Sequence, residues 1–139
     1  MKLDECLPQE LVAWINSGIF KGIPLNPQIF AQEKLPLDWW KKNKDGITFK
    51  GKVYLRKAIN LSNPNSMKLL FHELIHVRQF STMGFFWWVS YIFDANKIEE
   101  EAYRESHDWT LKYLIDFPQY ALNLRTLNGD DPGHRCGLQ

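Results

Sequence analysis

The sequence predicts a single α+β domain, mainly helical, with a small β-sheet or hairpin placed ahead of a long helix. Three observations carry this expectation. A chain of 139 residues suits one hydrophobic core rather than two. "ITFKGKVYLRKA" holds two short β-prone runs around Lys50-Gly51, a two-residue hairpin signal. Two long stretches with apolar residues at helical spacing follow, one from Asn63 to Gly84 and one from Asp94 to Phe117.

Each element has a local reason. "QELVAWINSGIF" carries apolar residues at helical spacing and predicts a short helix ending near Gly18. "KGIPLNPQIFAQEKLPLDWW", with Pro24, Pro27 and Pro36, predicts an extended or broken connection. "KKNKDG" is a charged, solvated turn. In the hairpin, Val53 and Leu55 alternate with Tyr54 and Arg56, as a strand with one buried face requires. Asn63-Pro64 is an N-cap followed by proline at the first helical position, and Gly84 is a C-cap. Pro118 stops the second long helix. Residues 45–117 form the expected core of the domain, and 118–139 a turn-rich tail ending in "NGDDPGHRCGLQ".

Composition narrows the function. With 45% hydrophobic and 24% charged residues the chain is of ordinary globular type. A net charge of +1 offers no field to hold nucleic acid or an anionic membrane, so neither partner is expected. The 14% aromatic share implies a core or groove lined with rings. Cys6 and Cys136 have no metal or redox spacing and read as two reduced thiols. "MKLDECLPQELVAW" lacks the basic start and apolar run of a signal peptide. "GFFWWVSYIF" is far shorter than the ~20 residues of a membrane span. The expectation is a cytoplasmic protein without a transmembrane segment.

Chemistry enters with "HELIH", His72 to His76, inside the first long helix. Residues four apart share a helix face, so both imidazoles can reach one metal ion. Glu73 lies about 100° round from His72, beside the ion rather than on it, where it can take a proton from a water on the metal. Leu70, Leu74 and Val77 cover one side of this helix and Phe71 and Ile75 another, so it is apolar nearly all round and predicted to be buried. Buried histidines and a buried glutamate need partners.

A third ligand is sought in "KIEEEAYRES". On a wheel of about 100° per residue, Glu99 shares a face with Ala102, Tyr103, Ser106, Thr110, Tyr113 and Phe117. Glu100 and Glu101 fall on the opposite side with Arg104 and Glu105, as solvated acids. A lone carboxylate in an apolar face calls for a cation, which a zinc ion would supply. Ala102 is small enough to let the two helices approach closely.

These five residues, His72, Glu73, His76, Glu99 and Ala102, resemble the gluzincin pattern of an HExxH helix followed by a glutamate in an ExxA context. "HELIHVRQ", its preceding strand and its acidic second helix are also similar to small stand-alone bacterial zincin domains, over roughly residues 45–117. The resemblance implies a zincin-like fold and a zinc metallopeptidase, with zinc on His72, His76 and Glu99 and with Glu73 as general base. It also implies that "GKVYLR" is a sheet edge that binds a peptide or protein substrate in extended form. Many gluzincins carry an acid four residues after the ligand glutamate. Tyr103 stands there instead, as a partner for a ligand imidazole or a donor to the substrate oxyanion. His107 and His134 are further candidates for the oxyanion role and otherwise plain surface histidines.

Other readings stay open at this level. The domain can instead be a non-catalytic zinc-containing binding protein, or a zinc hydrolase of a non-peptide substrate, since the signature reports metal and water rather than substrate. "FFWWVSYIF" reads as core packing between the two metal-bearing helices, as the lining of a hydrophobic pocket, or as a membrane-surface contact. "HRCG" resembles the Arg-Cys-Gly of a thiol switch in some zinc proteases, in which Cys136 would cap the metal.

Overall fold

The computed structural model describes residues 1–36 and 44–122. In chain order these form α1 (Leu3–Cys6), α2 (Gln9–Ser17), β1 (Ile29–Ala31), β2 (Gly46–Phe49), β3 (Lys52–Leu55), α3 (Pro64–Met83), α4 (Phe85–Asp116) and α5 (Pro118–Ala121). The arrangement is α+β, mostly helical, with one small three-stranded sheet.

The hairpin forms as its turn demands. Lys50 and Gly51 take positive φ, 53° and 75°, which matches the mirror-image turns whose twist suits two antiparallel strands. Phe49 faces Lys52 across the hairpin, and Val53 and Leu55 turn into the core. The strand carrying "GKVYLR" is not the sheet edge, however. The order is β1-β3-β2, so β3 lies in the centre and β2 is an edge. The proline-rich connection supplies the third strand: β1 pairs parallel with β3, and Val53 N–H donates to the Gln28 carbonyl at 2.9 Å. Three residues between prolines show no alternation long enough to be read as a strand, yet the open side of β3 satisfies their backbone groups.

α3 begins and ends where its caps place it, at Asn63 and Gly84. The second long helix differs from expectation. It starts at Phe85, runs through the aromatic stretch and bends at Asp94, where φ is −147° and ψ is 50°. Asp94, the predicted start, marks a bend between two helical halves. Pro118 closes α4 and opens α5.

α2 packs across α3 and α4 through rings. Trp14 meets Trp109 edge-on at 5.2 Å and Phe117 at 5.5 Å. Leu11, Ile15, Phe71 and Leu74 are fully buried in the same core, each worth about 1.5–3 kcal/mol of burial. Tyr113 donates its hydroxyl to the Leu61 carbonyl at 2.7 Å, and burial pushes its phenol pKa up. These contacts brace the pair of helices that carries the site.

Two expectations about side chains are corrected. Cys6 is buried and disulfide-bonded rather than a reduced thiol; the other cysteine of the sequence, Cys136, lies outside the described residues, as do His134 and the "HRCG" stretch. Glu101 is not a plain solvated acid. The buried Arg78 guanidinium donates to Glu101 Oε1 at 3.2 Å, to Glu105 Oε2 at 2.8 Å and to the Ile19 carbonyl at 2.9 Å. A buried cation on α3 draws in the acids of the neighbouring helix. Glu100 behaves as expected, exposed and paired with Arg104 at 2.7 Å. Among the described residues no helix is long and apolar enough to cross a membrane.

Candidate metal centre

The site is built on α3. The Asn63 side chain accepts from the backbone N–H of Asn65 at 2.9 Å and of Ser66 at 3.4 Å, and Pro64 follows it. The helix thus starts in a phase that sends His72 and His76 toward α4, while Leu70, Phe71, Leu74 and Ile75 enter the core. On α4, Ile98 and Ala102 are buried against that surface, and Glu99 is carried to the histidines.

Glu99 Oε1 lies 2.8 Å from His76 Nε2, and Oε2 lies 3.5 Å from His72 Nε2. The two Nε2 atoms are 3.1 Å apart. Ligand atoms at about 2.0–2.2 Å from one tetrahedral ion stand roughly 3.3–3.5 Å from one another. The His72–Glu99 distance matches that spacing and the other two are shorter, so an ion would spread the groups slightly. His76 Nδ1 donates to Gln79 Oε1 at 2.7 Å, which turns Nε2 toward the other two groups. Protons on the imidazoles bind these groups together here, and a cation standing among them would take that part. His72, His76 and Glu99 can hold a metal ion.

Burial works against the Glu99 carboxylate, but hydrogen bonds from His72 and His76, the His76 charge and Lys44 hold its pKa well below the usual carboxylate range. Burial likewise works against a charged His76, yet the Glu99 hydrogen bond, the charges of Glu73 and Glu99 and the Gln79 hydrogen bond together raise its pKa.

Glu73 is buried next to the cluster and off it, as its place in the helix dictates. Thr48 Oγ1 on β2 lies 2.9 Å from both the Glu73 carbonyl and Glu73 Oε1, and its hydroxyl donates to one at a time. β2 comes this near because Gly46 has no side chain: a Cβ there would stand 3.0 Å from Leu55, 3.2 Å from Leu69 and 3.4 Å from Glu73. From the aromatic half of α4, Trp87 meets the His76 ring edge-on at 6.1 Å and stacks on Tyr91 at 5.1 Å. Part of the aromatic run is therefore packing at the site, while Phe86, Ile92 and Phe93 face solvent.

A cleft of about 310 Å³ opens beside the cluster, lined by His72, Glu73, Glu99, Tyr103, Lys44 and Lys68 among others. Tyr103 stands on its wall, largely exposed, with the Lys68 ammonium 4.1 Å from its ring. The acceptor for His76 Nδ1 is Gln79 Oε1 and not Tyr103. His107 is exposed. Gln79 was legible in principle, since it lies three residues after His76 on the same helix face in "HELIHVRQ". Thr48 and Lys44 had no such signal, because only the packing of β2 on α3 brings them near.

Comparison of the chain with protein-family models, with curated proteins and with solved structures yields no match.

Proposed function

We propose that the protein is a zinc-dependent metallopeptidase of gluzincin type on a zincin-like fold. One observation carries the reading: three metal-ligating atoms lie within 4.8 Å of one another, with a glutamate they do not use held beside them at the edge of a cleft. A structural metal site has no need of such a base. His72, His76 and Glu99 would hold the ion. Zinc bound there would supply Lewis acidity toward a carbonyl and toward water.

The chain's own groups do the rest. Glu73 accepts the proton of the attacking water and passes it to the departing amine, as the new C–O bond forms and the C–N bond breaks. Thr48 keeps the Glu73 carboxylate in place. The outer edge of β2, rather than the central β3, is the strand against which an extended peptide aligns. Tyr103, on the cleft wall, is a donor within the same space. The cytoplasmic placement expected from the sequence loses one support with the disulfide at Cys6, since disulfides persist in oxidising surroundings.

The test is metal content of the purified protein, then a peptide-library screen of wild type and Glu73→Gln. Zinc in both proteins, with cleavage by wild type alone, is the expected result. Tight zinc with no cleavage in either would favour a zinc-containing binding protein, and absence of zinc would end the reading.

A further inference from the structure

The cleft beside the metal centre carries two lysines whose charges the proposed chemistry does not use. Lys44 Nζ lies 3.3 Å from Glu99 Oε2. Its backbone is fixed from the sheet: Arg56 Nε donates to the Lys44 carbonyl at 2.7 Å, Arg56 N to the Asp45 carbonyl at 2.9 Å, and Arg56 Nη1 to the Glu33 carbonyl at 2.8 Å. Lys68 stands one turn before His72 on α3, held over the Tyr103 ring at 4.1 Å. Among the described residues it has no carboxylate partner within ion-pair distance.

The acids of the same cleft are Asp45, Glu73 and Glu99. Glu73 is engaged by Thr48, and Asp45 is exposed at the rim. Glu99 neutralises Lys44 only while no metal claims its charge. With a dication on the cluster, both ammonium groups face the cleft without a counter-charge. The far end of the cleft, at Asn65, is the first turn of α3, which contains no acid. Both lysines and the acid-free first turn of α3 line this one cleft, which favours an anion within it.

Distance sets which anion. Lys68 is about 6 Å along α3 from His72, and one extended residue spans about 3.5 Å. A lysine stem covers the difference. We propose that Lys44 and Lys68 form a carboxylate subsite, so that the substrate carries a carboxylate about one residue from the scissile bond. This rests on the metallopeptidase reading for the reaction, and on the cleft alone for the ligand. The carboxylate is either the end of a chain or an acidic side chain.

The probes are acetyl-Ala-Ala-Ala with a free carboxylate, the same peptide amidated, and acetyl-Ala-Glu-Ala-amide, titrated calorimetrically into zinc-loaded Glu73→Gln protein. One or both carboxylate-bearing peptides should bind at least about tenfold more tightly than the neutral amide. Preference for the free acid alone identifies a chain end, and preference for the glutamyl peptide alone identifies a side chain. Lys44→Met and Lys68→Met should each cut the preference severalfold, and Lys68→Arg should keep most of it. Equal binding of the three peptides, or binding of none, overturns the proposal. So does a preference that survives in the double Lys44→Met/Lys68→Met variant, because the metal alone would then be the receptor. Wild-type turnover separates the two readings: hydrolysis without carboxylate preference removes the subsite only, and preference without hydrolysis of any peptide removes the peptidase only.

Discussion

His76 Nδ1 donates to Gln79 Oε1 at 2.7 Å, and this contact decides which nitrogen of the imidazole faces His72 and Glu99. Both residues are nearly fully buried, one turn apart on α3. Gln79→Leu keeps the volume and removes the acceptor. Zinc affinity should fall by roughly 10–100-fold, the usual cost of losing such a partner. Competition with a chromophoric chelator measures it; unchanged affinity would show that His76 needs no help to point its ring.

Thr48→Val tests the base. The substitution leaves the shape of β2 but frees the Glu73 carboxylate from its hydroxyl partner. Stability should fall by about 1 kcal/mol. Turnover should fall more than zinc content, which should not change. Loss of zinc with activity would mean that Thr48 supports the fold of the site rather than its base.

The three adjacent glutamates should separate under alanine substitution. Glu99→Ala removes an anionic ligand and should release zinc, with a matching fall in the zinc-bound melting temperature. Glu100→Ala loses only an exposed pair with Arg104 and should cost within about 0.5 kcal/mol. Glu101→Ala should fall between, at about 1 kcal/mol, because the buried Arg78 keeps Glu105 and the Ile19 carbonyl. Zinc retention in the Glu99 variant equal to that in the others would remove it from the ligand set.

Removing the proposed zinc ion should destabilise the fold. An ion at one hundred times its dissociation constant adds about 2.7 kcal/mol. Chelation should lower the melting temperature near neutral pH. The difference should shrink as the pH falls, because zinc must displace protons from the imidazoles, and the raised pKa of His76 brings that competition in early. A gap between apo and zinc-bound protein that stays constant into acid would point to a metal bound elsewhere.

Much of this was legible in the sequence, because it depends on neighbours along the chain. Asn63-Pro64 starts a helix, Lys50-Gly51 turns a hairpin, and a spacing of four puts His72 and His76 on one face whatever surrounds them. The wheel placed Glu99 on the inner face of α4 for the same reason: helical phase is local. That phase did not settle Glu101, which lies outward and yet pairs with Arg78. What only the tertiary structure decided involves groups far apart in sequence. β1 exists because β3 offers it an open side, and pairing across sequence leaves little trace in three residues between prolines. Thr48 reaches Glu73 because Gly46 lets a strand lie against a helix, and Lys44 reaches Glu99 across 55 positions of chain. Local periodicity fixes the direction of a side chain, whereas its partner is set by which surfaces bury one another, and that is a property of the whole core.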